Sequence, residues 1–389
     1  MTTVWAFIII IGVLITIHEF GHFIAARSVG VKVERFSIGV PPRFITITST
    51  NDGWVIKLFF YKVVEGSLKW QPVFTKLIPK TGRIGSDTEY VLALLPLGGY
   101  VKMAGMIDES LDVNIQYKED EFMSKSLFAK IWILSAGVIM NTFLAFLLFS
   151  SIIYDQGFSE VSTEPVIAKL QDGMPAKFSG IQENDRIVQI NDFQINTWED
   201  LSKIIQSRPN TEIELSVMRN SKIFTYNIMT SDRVIQSKNG LDTIGLIGIA
   251  PEILYSDISF YKASEMGFLR TVESFELIIE SLMMLGTGTA SISDLGGPIM
   301  IAQLAGQTAE AGLIPFLTFM ALLSVNLALL NILPIPGLDG GHIFIHLIEG
   351  IIRRPLTLKT RVVIQQVGMA LLLLLMVTVI FQDITRLFN

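Results

Sequence analysis

His18-Glu19-Phe20-Gly21-His22 is the stretch of this chain best suited to chemistry. It is an H-E-x-x-H pattern. In a helix, positions i and i+4 share a face, so both imidazoles can reach one metal ion. Glu19 lies beside them and can hold a water on that metal. Zinc lowers the pKa of such a water toward about 7. Glu19 can then take the proton and pass it to a leaving amine. The pattern therefore suits metal-assisted hydrolysis of an amide. The competing reading is a set of polar side chains that cap a helix end near an interface and bind nothing.

A catalytic zinc takes three protein ligands and keeps one position open. The chain has four histidines, and the other two, His342 and His346, follow Asn331-Ile-Leu-Pro-Ile-Pro-Gly-Leu-Asp339-Gly-Gly. Pro334 and Pro336 break a helix there, and the glycines permit a turn close to a metal. Asp339 at that break is the candidate third ligand, because carboxylate oxygen is a normal zinc ligand at about 2.0–2.2 Å. His342 is the rival ligand. With His346 it also repeats the i,i+4 spacing, which suits a second metal site or two solvated imidazoles. Asn331 lies two turns before Asp339. It is placed to hydrogen-bond a substrate carbonyl or an oxyanion, or else to hold helices together.

The elements that must position these residues are membrane helices. The chain has 389 residues, of which half are hydrophobic and 17% charged; its mean hydropathy is +0.51. A soluble domain is about a quarter charged. A net charge of −6 argues against a nucleic-acid partner. The lack of cysteine excludes disulfides, thiolate zinc sites and thiol nucleophiles. Four segments meet the roughly 20 apolar residues that a span requires: Val4–Ala26, Ile131–Ile153, Leu313–Leu333 and Val362–Phe381. The first carries the H-E-x-x-H pattern, and ionisable groups inside a span point to function. It has no basic n-region and no A-x-A-like cleavage site, so it reads as a retained helix. Arg27, Lys32, Arg35 and Arg43 follow the first span, and Lys118, Lys125 and Lys130 precede the second. Arg353, Arg354, Lys359 and Arg361 separate the third from the fourth. This bias puts Arg27–Lys130 in the cytoplasm, and both termini and Tyr154–Gly312 on the outer side.

Between the first two spans, Trp54–Phe60 is aromatic and β-branched, which predicts a strand. Glu89–Met103 is apolar but interrupted by Pro96, Gly98 and Gly99, too often for a spanning helix. Non-helical backbone at membrane depth survives only under protein or beside a wet cavity. These stretches read as re-entrant strands beside the bundle, or as an ordinary cytoplasmic β-subdomain. Ser159–Thr230 predicts a soluble α/β module. Its strands lie at Val166–Leu170, Ile187–Ile190, Glu212–Val217 and Phe224–Met229, and its helix runs from Thr197, a possible N-cap, to Ile205. Tyr261–Gly286 carries charges among apolar residues and predicts an amphipathic helix at the outer interface. Gly286, Gly288, Gly296, Gly297 and Pro298 break the chain before the third span.

Taken together, the two metal motifs resemble the site-2 proteases, and the order of parts resembles the bacterial RseP type, an intramembrane zinc protease. Further matching stretches are Phe36–Gly39, Leu95–Lys102, Ala136-Gly137 with Asn141, and Leu295–Pro298. Pro41-Pro42 and Val138 depart from the family pattern and leave the catalytic groups untouched. The resemblance implies Zn2+ held by His18, His22 and Asp339, with Glu19 as the base. It implies a polytopic α-helical membrane protein with four transmembrane helices, re-entrant β-structure that presents the substrate as an added strand, and one inserted α/β PDZ-like domain. Met174–Asp192 carries the PDZ resemblance, with Asn184-Asp185 and Asn191-Asp192 where that family usually has Gly-Asp and Asn-Gly. Asn tolerates left-handed backbone, so both turns can survive.

The implied division is a first protease part at 1–158, a PDZ-like domain at 159–232, a linker with the amphipathic helix at 233–312, and a second protease part at 313–389. The implied activity is regulated intramembrane proteolysis of pre-cleaved single-span proteins, such as anti-sigma factors or remnant signal peptides. The implied setting is a bacterial inner membrane with a periplasmic PDZ-like domain and a sigma-E-type stress response. Such substrates and membrane lipid are the expected partners, and no nucleic acid. Two alternatives belong to other classes. One is an inactive PDZ membrane scaffold, against which the intact His18, Glu19, His22 and Asp339 weigh. The other is a membrane zinc peptidase with a downstream Glu ligand and a cytosolic site, against which the Asp339 motif weighs.

Overall fold

The computed structural model describes residues 2–64, 67–79, 85–106, 115–237, 240–289 and 296–388. Leu295 of the Leu295–Pro298 match lies outside them. In chain order the elements are α1 (Thr2–Ser28), β1 (Val33–Thr50), β2 (Gly53–Val64), β3 (Ser67–Pro79), β4 (Glu89–Met103) and α2 (Leu127–Gln156). Then follow β5 (Phe158–Val161), β6 (Ile167–Leu170), α3 (Pro175–Phe178), β7 (Arg186–Ile190), β8 (Phe193–Gln194) and α4 (Trp198–Gln206). Next come β9 (Glu212–Arg219), β10 (Lys222–Met229), β11 (Ser231–Ser237), β12 (Gly240–Leu246), β13 (Ile249–Pro251) and β14 (Ile253–Ser256). The chain ends in α5 (Phe260–Thr287), α6 (Pro298–Ala311), α7 (Leu313–Ile332), α8 (Asp339–Ile352) and α9 (Leu358–Phe388). Two compact units result, one of Ile153–Ala263 and one of the residues on either side.

Among the described residues, α1, α2, α7 and α9 are long and apolar enough to cross a membrane, and they coincide with the four predicted spans. Small residues decide where they meet. A Cβ at Gly21 of α1 would lie 2.4 Å from the Ala136 carbonyl of α2. The helices therefore approach backbone to backbone, as small residues allow in apolar bundles. Further along, Ala6, Ile10 and Leu14 of α1 bury against Ala305 of α6 and Met320 of α7. Helix α7 stops at Leu333, whose backbone is extended (φ −61°, ψ 143°), because the residue before a proline is pushed out of the helical region.

The predicted strands at 54–60 and 89–103 lie in a sheet of order β3-β2-β1-β4. The pairing shows two folded-back strands rather than two straight ones. Ser37 of β1 pairs with both Tyr100 and Val91 of β4, and Ile38 pairs with both Gly99 and Leu92. After the bend, Thr46 and Ile47 of β1 pair with Val91 and Tyr90. So the limb Gly99–Met103 is an edge, followed inward by 33–38, 89–92 and 45–48. The bends fall at Pro41-Pro42 and Pro96, where a strand lacks a donor. The β4 bend packs on the middle of α1: a Cβ at Gly12 would lie 2.9 Å from the Pro96 carbonyl.

Unit 153–263 has its own core, including Ile167, Ile187, Ile190, Leu201, Leu215 and Ile247. Its main sheet runs β10-β9-β7-β8. Thr197 caps α4 by accepting from the Asp200 amide, as the sequence predicts. Asn184 and Asn191 stand at φ +71° and +49°, the left-handed backbone expected of them. Buried Asp185 fixes the first turn, accepting from the Gln182 amide at 2.9 Å and pairing with Arg219 at 2.6 Å. Asn191 fixes the second, its Oδ1 accepting from the Glu214 amide at 2.8 Å.

Helix α6 was not foreseen; the sequence reading treats this stretch as a chain break followed by linker. Its N-terminus is held by Asp383 of α9. That buried carboxylate accepts from the amides of Gly297, Ile299 and Met300 at 3.0–3.1 Å. A negative charge at a helix N-terminus is favoured by unpaired N–H groups and by the helix dipole. Gly297 is required for the approach, since a Cβ there would lie 2.4 Å from the Asp383 carboxylate. Asp383→Ala leaves these amides without their acceptor. It is expected to cost on the order of 3 kcal/mol, read as a lower unfolding temperature and faster proteolytic nicking near α6 in detergent. An unchanged melt and an uncut α6 contradict the capping role.

Candidate metal centre

The helical spacing of α1 puts His18 and His22 on one face, and the first residue of α8 delivers Asp339 to them. Nε2 of His18 and Nε2 of His22 are 3.1 Å apart. Asp339 Oδ2 lies 3.0 Å from the first and 3.3 Å from the second. Ligands about 2.05 Å from a tetrahedral zinc stand roughly 3.3 Å from one another, so this triangle matches three of the four corners. The protonation pattern agrees. His22 Nδ1–H donates to the Ile133 carbonyl of α2 at 2.8 Å, which leaves the Nε2 lone pair pointing at Asp339. Asp339 Oδ2 is buried and has no hydrogen-bond donor among the described residues. Electron pairs that converge without protons between them suit a cation.

Each of the three side chains sits where it does for a local reason. His18 lies flat on α2: a Cβ at Gly137 would come within 2.5–2.7 Å of its ring atoms. Asn141, one turn on and fully buried, brings its amide 3.4 Å from His18 Nδ1. Asp339 is set by the break between α7 and α8. Gly340 and Gly341 let the start of α8 fold back on that break, since Cβ atoms there would lie 2.2 Å from the Ile332 and Ile335 carbonyls. The following α9 closes on the same break, a Cβ at Gly368 falling 2.0 Å from the Pro336 carbonyl.

A cleft of about 600 Å³ opens on the triangle. Glu19 and Asn331 line it, as does the β4 limb from Gly99 to Met103. Asn331 Nδ2 is 3.5 Å from His18 Nε2, so this amide faces the metal position. Gly99 lies against Glu19; a Cβ there would be 3.7 Å from Glu19 Cγ. His18, Glu19, His22, Asn331, Asp339 and His342 therefore border one cavity.

The histidines of α8 behave differently. His342 lines the cleft without entering the triangle, and His18, His22 and Asp339 are the single group among the described residues that could hold a metal. His346 is buried and bonds Glu349 at 3.0 Å. Glu349 in turn accepts from the Leu356 amide at 2.7 Å and pairs with Arg361. Burial, then the charges of Arg361 and Lys130, push His346 down to about 4. It is a neutral strut of the α8–α9 connection, so the i,i+4 pair does not form a second metal site. Sequence reasoning missed the Ile133 carbonyl and the work of Gly137 and Asn141. A glycine and an asparagine at i,i+4 in an apolar helix were the available signal.

Comparison with known proteins agrees with this centre. The family model described as Peptidase family M50 matches residues 6–68 and 72–375. A Clostridium acetobutylicum relative, named by inference as a zinc metalloprotease, is 33% identical over 97% of this chain and 96% of its own. The zinc metalloprotease RasP of Oceanobacillus iheyensis is 29% identical over the full length of both. The regulator of sigma-W protease RasP of Bacillus subtilis is 28% identical over 100% of this chain and 99% of its own. Among solved structures, the PDZ domain of an SdrC-like protein from Listeria monocytogenes aligns with 24% of this chain and 90% of its own. Its identity is 16% and its TM-score 0.19.

The two rival third ligands separate by metal content. Asp339→Ala is expected to lose zinc, and His342→Ala to keep about one zinc per chain, measured by elemental analysis of purified protein. The opposite pattern assigns the ligand to His342. The His346 shift gives a second expectation. A folded-state value below the ordinary 6.5 favours the neutral form, so the stability it confers is complete above 6.5. That stability drains as the pH falls through 6.5 toward 4. His346→Gln should flatten this part of the melting-temperature profile; an unchanged slope assigns the acid sensitivity elsewhere.

Proposed function

Since the chain belongs to peptidase family M50 and is a membrane zinc metalloprotease, we propose that it hydrolyses a peptide bond of a membrane-spanning substrate within the bilayer. The carrying observation is the position of the ligand triangle. His18 lies ten residues before the end of α1 at Ser28, about 15 Å along the axis, well inside a helix apolar enough to span. His18, His22 and Asp339 are the proposed zinc ligands. When bound, zinc supplies a Lewis acid that makes water nucleophilic near neutral pH and polarises a carbonyl.

The chain's own groups complete the reaction. Glu19 borders the same cleft, accepts the proton of the attacking water and returns it to the leaving amine. Asn331 donates its amide N–H to the substrate carbonyl oxygen as charge develops there. The edge limb Gly99–Met103 runs along the cleft, and an unwound substrate segment joins it as a further strand. A helix must lose its internal hydrogen bonds before one of its amides can be cut, and strand pairing replaces them. The β4 bend at Pro96 sits against the middle of α1. Leu94, Leu95 and Leu97 of that bend are exposed, which supports a re-entrant placement in the membrane.

The bias of Arg and Lys near the spans supports a cytoplasmic face for 27–130 and an outer face for unit 153–263, read as a PDZ-like module in the periplasm of a bacterial inner membrane. The B. subtilis relative's name, regulator of sigma-W protease, favours a membrane-anchored regulator of a sigma factor as substrate, shortened first by another protease. Remnant signal peptides have the same single-span chemistry.

The test uses membrane-reconstituted protein and a single-span substrate with a short outer domain. Glu19→Gln is expected to keep its zinc and lose on the order of 10³-fold in cleavage. Asn331→Ala is expected to lose about 10²–10³-fold in kcat. Equal cleavage by wild type and Glu19→Gln removes Glu19 from the mechanism.

A further inference from the structure

Asn141 does not touch the cleft, yet it is a fully buried polar side chain in a helix apolar enough to span. Its Oδ1 is buried with no partner among the described residues, while its Nδ2 lies 3.4 Å from His18 Nδ1. With the amide nitrogen toward the ring, the arrangement is chemically costly. If Nδ2–H donates to Nδ1, the remaining imidazole proton sits on Nε2, the atom that faces His22 Nε2 and Asp339 Oδ2. Oδ1 then stays unsatisfied, at a cost of about 1–3 kcal/mol. Turning the amide by 180° about its last torsion solves the tautomer problem and gives Oδ1 its donor. Oδ1 accepts from His18 Nδ1–H, and the Nε2 lone pair is freed toward Asp339. The result mirrors the other ligand, whose Nδ1–H donates to the Ile133 carbonyl.

We propose that Asn141 is a positioning residue for the metal centre, its Oδ1 accepting a hydrogen bond from His18 Nδ1–H and so fixing His18 as an Nε2 ligand. The surroundings hold it to that task. Ser324 of α7, also fully buried, donates to the Asn141 backbone carbonyl at 2.7 Å. Gly137, one turn earlier, leaves room for the ring that Asn141 orients. Helix α2 therefore sets both histidine tautomers, one through the carbonyl of Ile133 and one through the side chain of Asn141. An acceptor behind a ligating imidazole is worth about 10–100-fold in metal affinity.

The inference rests on His18 as a zinc ligand, and the experiment separates the two. Zinc affinity of the purified full chain is measured by competition with a chromophoric chelator, alongside the absorption spectrum of the cobalt(II)-substituted protein. Asn141→Leu keeps the volume and removes the acceptor; it is expected to lose about 10–100-fold in zinc affinity. Asn141→Asp keeps the acceptor and removes both donors, and is expected to bind within a few-fold of wild type with an unchanged cobalt spectrum. A loss in Asn141→Asp equal to that in Asn141→Leu shows a donor role and overturns the proposal, as does wild-type affinity in Asn141→Leu. Should Asn141→Leu fail to fold, the Asp variant decides alone, assayed at a pH that ionises its carboxyl, because a carboxylate cannot donate. His18→Ala is run in parallel; full zinc affinity there rejects the ligand assignment itself.

Discussion

Two imidazole nitrogens and a carboxylate oxygen converge to 3.0–3.3 Å of one another inside a bundle of apolar helices. Without a cation between them these electron pairs repel, and in a low-dielectric interior the repulsion is strong. The rest of the membrane unit is arranged to hold that convergence. Glycines at 21 and 137 let α1 and α2 meet closely enough for α2 backbone and side chain to reach both histidines. The break between α7 and α8 delivers Asp339 from the other side. Its shape is enforced by Pro334, by the glycines at 340 and 341, and by the closure of α9 on Pro336.

Hydrolysis needs water and an unwound substrate, neither of which an apolar bundle offers. In the proposed reading, the folded-back β-sheet provides for both. Its edge limb, Gly99–Met103, lines the cleft together with Glu19 and Asn331. Bends at Pro41-Pro42 and Pro96 let one sheet both pair internally and present a free edge.

Charged groups away from the centre follow the same logic of complete pairing. Asp383 satisfies three amides at the start of α6. Glu349 joins His346, the Leu356 amide and Arg361 at the end of α8. Asp383 is buried and joins α9 to α6 across more than eighty residues, whereas Glu349 secures the local connection from α8 to α9.

The four spans, the H-E-x-x-H face and the helix break at Pro334 were legible in the sequence, because each rests on local rules: apolar length, i,i+4 spacing and the backbone limits of proline. The turns at Asn184 and Asn191 were legible for the same reason. The choice of Asp339 over His342 was argued from the break, but only the folded chain shows which of the two reaches the triangle. The two-limbed pairing of β1 and β4 could not be read, since a strand pattern carries no record of which neighbour it pairs with twice. Helix α6 escaped notice because its N-terminal cap is Asp383, more than eighty residues away. The environment of His18 was equally hidden. Asn141 and Gly137 look like ordinary small and polar residues in an apolar helix until α1 and α2 are packed, because hydrogen bonding between helices depends on their relative rotation and depth. Chemistry by residue type and spacing was thus set along the chain; proton placement, ligand choice and the free strand edge were set by packing, which no local pattern encodes.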